Sequence, residues 1–447
     1  MKLEFKDALK FDFSNLSLKQ QDFDLIKDKI KNAWKNIKEI RQGKILAHGE
    51  PALFMGLPYQ DKEKINKINS WAKDVKENYD TVVSLGIGGS YLGNKTLQDA
   101  LAHPYYNECK EARAGWPKIY FAGDNLDPYR LNALLDIIDI KSTKFIIISK
   151  SGGTVEPMSS FAVILDRIKK ANGNIKKQIT AITDESKGLL REMVNKYGWD
   201  SFIVPDGIGG RWTVLSEVGL VTAAAAGINI EELLLGAKKM DELCQNENVF
   251  KNPAFLYAAS VYILYKNKNK NITVIMPYSN SLKSVGDWYV QLLAESLGKK
   301  IDKNNKVVNE GRTPIPALGT TDMLAQTQQH IEGANIRSLT FIGIEDFKEN
   351  DIIIPEVFND YKGIAFIGKM KMSKILSAAM LSNEMSLAEA GRPNCNIKLP
   401  ELNAFYLGQL LYFFEMATAF EGELLNVNSY DQPGVEAYKK IMKKILL

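Results

Sequence analysis

VVSLGIGGSYLG, Val82–Gly93, runs from an apolar stretch into a cluster of glycines. The pattern reads as a short buried strand, a tight turn and the start of a helix. Three readings of that turn compete. A dinucleotide fingerprint, GxGxxG, fits Gly86 and Gly88, but its third glycine falls on Tyr91. A P-loop fits Gly88 and Gly93, but Asn94 stands where its lysine belongs. Lys95 and Thr96 come one residue late, about a quarter turn of helix. The third reading is a plainer loop for a phosphate or sugar phosphate, built from free N–H groups, Ser90 and a helix N-terminus. A strand-to-helix turn that binds nothing stands beside all three.

Outward from this stretch a rhythm appears. KIYFAG (Lys118–Gly123), KFIIISKSGGT (Lys144–Thr154), QITAITD (Gln178–Asp184) and SFIVPDGIGGR (Ser201–Arg211) repeat the pattern, with helical spacing between most of them. Strands that alternate with helices imply a doubly wound parallel sheet, and such sheets bind ligands at the carboxyl ends of their strands. After the apolar helix EVGLVTAAAAGI a second alternating region begins. NITVIMPYS (Asn271–Ser279), SLTFIGIED and GIAFIGKM are its expected strands. The first eighty residues read mainly as helices, from Leu25, Ile26, Ile30, Trp34, Ile37 and Ile40, with a Pro/Gly-bearing link at GEPALFMGLP. The expected fold is therefore α/β: two doubly wound parallel-sheet lobes with helical N- and C-terminal extensions. The expected divisions are an N-terminal helical segment, 1–70, the lobes 71–230 and 231–400, and a helical arm, 401–447.

A chain of 447 residues exceeds one ordinary core. Its 57 basic and 53 acidic residues give a net charge of +4, which argues against a nucleic-acid protein defined by its charge. KNKNKN, Lys266–Asn271, reads as a solvated loop. Cys109, Cys244 and Cys395 fit no metal or redox spacing and suggest reduced thiols in the cytosol. The charged N-terminus lacks the apolar core of a signal peptide. Leu402–Phe420 is the most membrane-like segment, but Asn403, Gln409 and Glu415 make it a buried helix. The basic helix VEAYKKIMKKILL at the end reads as a solvated face, not a membrane anchor. With only His48, His103 and His330, a histidine-rich zinc site is not expected, and proton transfer falls to a carboxylate or lysine.

Four further segments carry candidate chemistry. In SKSGGTVEP, Ser149, Ser151 and Thr154 surround two glycines, a density of donors that suits a phosphate and exceeds what a helix cap needs. In GGRWTVLS, Arg211 follows two glycines and could stabilise an oxyanion or enediolate, or pair with a structural carboxylate. Gln291 and Glu295 share one face of a helix with apolar neighbours such as Trp288 and Leu292. A carboxylate there is either a satisfied core group or a base. VNSYDQPGVEAYKK offers Gln432 after a turn and Lys439 one helix later.

Taken in order, LGIGGSYLG, SKSGGTVEP, GGRWTVLS, QLLAESLGK and NSYDQPGVEAYK resemble the bacterial glucose-6-phosphate isomerases across nearly the whole chain. The resemblance implies a cytosolic enzyme of the sugar-isomerase fold that interconverts glucose 6-phosphate and fructose 6-phosphate through an enediolate, without metal or redox cofactor. It implies Glu295 as the base, Arg211 as the enediolate stabiliser and Lys439 as a ring opener. Gly89, Ser90, Ser149, Ser151 and Thr154 would hold the phosphate, with Glu156, Gln291 and Gln432 on the sugar side. It further implies a homodimer with a shared site, to which the partner lends a histidine. That histidine's place, two residues after Asp322, is Leu324. His330 lies six residues on, about 240° around a continuous helix; it is the candidate for the ring-opening role if an irregular turn brings it to the site, and an exposed helix histidine otherwise. A non-catalytic sugar-phosphate sensor of the same fold, or an isomerase of another phosphosugar, are the rival readings, and a nicotinamide dehydrogenase is a distant third.

Overall fold

The computed structural model describes residues 1–43 and 52–447, so His48 and residues 49–51 of the expected link lie outside the described residues. The chain divides into two compact units, Leu53–Lys238 and a discontinuous one of Met1–Ala52 with Lys239–Leu447. The strands, in chain order, are β1 (Lys2–Leu3), β2 (Lys10–Asp12), β3 (Thr81–Leu85), β4 (Lys118–Ala122), β5 (Thr143–Ile148), β6 (Ile179–Thr183), β7 (Asp200–Ile203), β8 (Ile272–Pro277), β9 (Lys299–Ile301), β10 (Val307–Glu310), β11 (Thr313–Pro316), β12 (Arg337–Asp346) and β13 (Asn394–Glu401).

In the unit 53–238 the five strands β4-β3-β5-β6-β7 form one parallel sheet. Every residue of β3, β5 and β6 is buried, as expected where helices cover both faces. On one face Val83, Leu85, Phe145 and Ile147 pack with Phe161 and Ile164 of the Val155–Lys170 helix. On the other, Trp71 of the Lys62–Asn78 helix donates its indole N–H to Thr180 Oγ1 at 3.1 Å, and Ser84 meets Thr222 of the Glu217–Ala225 helix at 3.3 Å. The strand order reverses between β3 and β5, which makes the crevice at their carboxyl ends the topological switch point of the sheet.

In the discontinuous unit a six-stranded sheet runs β1-β2-β13-β12-β8-β11. β13, β12, β8 and β11 are parallel, whereas β2 joins β13 antiparallel and carries β1 on its outer edge. The N-terminal segment thus contributes strands as well as helices. Only Phe11 of β2 is fully buried, and three residues are too few to show a period of two. GIAFIGKM is not a strand. Ala365–Ile367 is a single 3₁₀ turn with Ile364 and Phe366 exposed, and the fourth parallel strand is NCNIKLPE, β13. The expected solvated loop at Lys266–Asn271 also differs. Lys266–Lys268 end the Pro253–Lys268 helix, Asn269 caps it in the left-handed region, and Lys270 is buried with its ammonium on Asn335 O (2.6 Å) and Oδ1 (2.7 Å).

Ala404–Leu425 is a buried helix that packs on Lys27–Arg41, Pro253–Lys268 and Lys283–Leu297. Among the described residues no helix is long and apolar enough to cross a membrane. Glu415 in this helix is fully buried, and neither of its carboxylate oxygens has a hydrogen-bond partner. Burial alone pushes its carboxyl well above the usual carboxylate range, so the folded chain favours its protonated form. The folded state then holds one proton more than the unfolded state above the ordinary glutamate pKa. Stability therefore falls as pH rises, by up to about 1.4 kcal/mol per unit, until the folded carboxyl itself ionises. Glu415→Gln removes this term. Urea unfolding at pH 5 and pH 7 is expected to show the variant gaining on the parent protein at the higher pH. A difference that does not depend on pH would show that Glu415 does not titrate anomalously.

Candidate active site

Gly89, Ser90, Ser149, Ser151, Thr154, Glu156 and Arg211 lie in the unit 53–238. The two loops that leave β3 and β5, at the switch point, are LGIGGSYLG and SKSGGT. In the first, Gly88 has a φ of 57° and opens a short 3₁₀ turn, Gly88–Ser90. The N–H groups of Gly86, Ser90 and Tyr91 are engaged by Ala122, Ile87 and Gly88 carbonyls, which leaves those of Ile87, Gly88 and Gly89 as the loop's candidate donors. The close approach that excludes a side chain at Gly89 comes from the chain itself. A Cβ there would lie 1.9 Å from the Gly210 carbonyl oxygen and 2.7 Å from the Arg211 nitrogen. The GGRW segment is therefore folded directly onto the glycine loop, with the Arg211 backbone nitrogen against Gly89. The Arg211 side chain is 1% exposed and stands 5.9 Å from the Trp212 ring, which stacks on Phe54 at 4.4 Å.

The second loop is braced by its own hydroxyls. Ser149 Oγ accepts the Gly152 N–H (3.0 Å) and Ser151 Oγ accepts the Gly153 N–H (3.1 Å). Each hydroxyl keeps its proton to donate elsewhere. Thr154 holds the N-cap position of the Val155–Lys170 helix, yet its side chain makes no capping bond. The helix's first N–H groups are thus not satisfied by the cap residue, the arrangement that suits an anion. Glu156 is half-buried in the first turn of the same helix.

Gln291, Glu295, His330, Gln432 and Lys439 lie in the discontinuous unit. Gln291 and Glu295 are one turn apart on the Lys283–Leu297 helix, and Gln291 Nε2 donates to Glu295 Oε1 at 3.0 Å. Glu295 is half-buried, with Leu292, Leu293 and Ser296 buried around it. Just past the helix, the buried Lys299 donates to the backbone carbonyls of Glu295 and Asp431, which brings the DQPG turn and Gln432 to the end of this helix. Sequence reasoning singles out neither Lys299 nor Asp431. Lys299 closes the QLLAESLGK segment, and its meaning appears only when its partner, 132 residues away, is in place. Lys439 is exposed on the Val435–Leu446 helix.

His330 and Leu324 share one unbroken helix, Thr321–Glu332. No irregular turn carries His330 to the place of Leu324: Leu324 is 89% exposed, whereas His330 is 4% exposed. Its imidazole pKa is lowered by burial and by Arg337, against an opposing pull from Asp322, and its Nδ1 has no hydrogen-bond partner. Among the described residues no group of three or more His, Cys, Asp or Glu side chains is placed to hold a metal ion.

The chain has relatives to which these features can be compared. The phosphoglucose isomerase family model matches residues 59–447. A glucose-6-phosphate isomerase of Carboxydothermus hydrogenoformans is 39% identical over 98% of this chain and 95% of its own length. One of Acetivibrio thermocellus is 37% identical over 86% of this chain and 84% of its own. A solved structure of a hypothetical protein from Thermus thermophilus superposes with a TM-score of 0.87 at 30% identity, and covers 98% of this chain and 100% of that one. The fold is shared with a glucose-6-phosphate isomerase from Chlamydia trachomatis at a TM-score of 0.85 and 22% identity, over 100% of this chain and 89% of that one. The chain belongs to the phosphoglucose isomerase family.

Proposed function

We infer that the protein interconverts D-glucose 6-phosphate and D-fructose 6-phosphate, an aldose–ketose isomerisation at the head of glycolysis that also runs in gluconeogenesis. The family match carries this reading, and one observation gives it a chemical centre: a half-buried carboxylate, Glu295, oriented by Gln291. Glu295 takes the C2 proton of the open-chain aldose and returns it to C1. Arg211 stabilises the negative charge of the enediolate between the two transfers. The phosphate is held by Gly89, Ser90, Ser149, Ser151 and Thr154, a role supported by the switch-point loops and by the Thr154 side chain, which makes no capping bond to its own helix. Glu156, Gln291 and Gln432 contact the sugar, and Lys439 assists ring opening. His330 is not assigned that step, because the continuous helix removes the irregular turn the role requires.

The protein works as a cytoplasmic homodimer in this reading. Three free cysteines support a reducing compartment. Exposed apolar side chains at Ile352, Ile353, Val357, Tyr361 and Phe366 support a contact surface. The test is fructose 6-phosphate turnover by the purified protein, read through oxidation of the glucose 6-phosphate formed, with EDTA present. Clear turnover is expected. An inactive protein that still binds fructose 6-phosphate would overturn the assignment in favour of a sugar-phosphate sensor, and Leu324→His then becomes the substitution to restore activity.

A further inference from the structure

We propose that Lys299 is a positioning residue for Glu295, tying the backbone of the base and the DQPG turn to one ammonium; the proposal rests on the reading of Glu295 given above. Lys299 lies just past the end of the Lys283–Leu297 helix, and its side chain folds back over the helix end. It is 6% exposed. Its ammonium donates to Glu295 O (2.8 Å), Asp431 O (2.5 Å) and Asp431 Oδ1 (2.9 Å).

The placement has a local cause. The last four carbonyls of a helix lack partners within it, and Glu295 supplies one of them. The Gly298 N–H closes on Ala294 O at 3.0 Å, and the Lys299 ammonium takes the next carbonyl, at the negative end of the helix dipole. The other two bonds reach a residue 132 positions later, immediately before Gln432. One buried cation thus fixes the peptide that bears the base and the turn that bears a sugar-side glutamine. The Lys299 ammonium touches no reacting atom in this scheme. It acts by holding Glu295 where proton transfer is efficient, and a displacement of about 1 Å at such a group costs roughly 10²-fold in rate.

The test compares the full-length protein with Lys299→Met, Lys299→Arg and Asp431→Asn. Two quantities are read: kcat per binding site, with sites counted by calorimetric titration with fructose 6-phosphate, and the share of deuterium from 2-deuterated glucose 6-phosphate that arrives at C1 instead of in water. Lys299→Met is expected to lower kcat per site by roughly 10- to 100-fold, with the dissociation constant raised by a much smaller factor through the loosened Gln432 turn. The share of transferred label should fall too, because a loosened base exchanges its proton with solvent. Lys299→Arg keeps the charge and should recover part of both. Asp431→Asn leaves both carbonyl bonds and is expected to lower kcat only a few-fold, and it serves if Lys299→Met does not fold. A loss of sites with kcat per site and label transfer unchanged would make Lys299 merely structural and overturn the proposal, as would unchanged kinetics in all three. A parent protein that binds fructose 6-phosphate without turning it over would overturn the functional reading itself, and this proposal with it.

Discussion

Glu295→Gln is expected to lower kcat for fructose 6-phosphate by about 10²–10⁴-fold or more, the range in which a positioned general base contributes. The substitution is close to isosteric, and the amide oxygen can still accept the Gln291 Nε2–H bond that now ends on Glu295 Oε1 at 3.0 Å. Geometry and packing on the Lys283–Leu297 helix are thus retained while the proton acceptor is lost. Only an interaction made in the transition state disappears, so substrate affinity should remain within a few-fold of the parent's. Steady-state kinetics alongside calorimetric binding separates the two effects. A kcat within tenfold of the parent would remove Glu295 as the base. An affinity loss as large as the rate loss would recast it as a binding residue.

The largest expected effect on stability lies at Glu421. Its carboxylate receives Arg312 through Nε–H (2.8 Å) and Nη2–H (2.6 Å), with both side chains at most 2% exposed. Arg312 Nη2 also reaches the Tyr289 hydroxyl at 3.3 Å, whereas Nη1 finds no partner. A guanidinium cannot shed its charge to escape burial. Glu421→Ala therefore leaves a buried cation uncompensated, at a cost of ~3–5 kcal/mol. For a unit of this size that corresponds to a melting temperature lower by roughly 6–20 °C. Replacing both residues, Arg312→Met with Glu421→Leu, removes the charge along with its partner and should restore most of the loss. If the single and double variants melted together, the cost would come from the cavity and not from the orphaned charge.

The parts of the molecule legible in its sequence are those set by near neighbours. β5 reads as a strand because a parallel strand covered on both faces becomes a continuous apolar run, as in Phe145–Ile148. The serine–glycine loop after it is legible because its donors are adjacent in sequence. Gln291 and Glu295 are legible because four residues is one helical turn. What escapes depends on distant partners. Arg312 and Glu421 are 109 residues apart, as Lys299 and Asp431 are 132, and neither pair follows from any local pattern. The glycines of LGIGGSYLG announce a close approach, but that Gly210 makes it at Gly89 is visible only in the folded chain. β13 escapes for a related reason. Asn394, Asn396 and Lys398 alternate with Cys395, Ile397 and Leu399; the buried Asn394 and Asn396 side chains donate to Glu384, and Asn396–Lys398 pair with β2, a strand from the other end of the chain.

That pairing of β2 with β13 sets an order of events during synthesis. Lys10, Phe11 and Asp12 are made early, but their ladder partners, Lys398, Ile397 and Asn396, emerge only near the end. At ordinary elongation rates the wait is roughly 20–80 s. The whole of Leu53–Lys238 is translated within that interval. The continuous unit can thus complete its sheet on the ribosome while the N-terminal strand, with Phe11 destined for a fully buried site, stays unpaired. A nascent chain of this protein carries a waiting sheet edge through most of its translation, and that is the stage at which a chaperone has the most to shield.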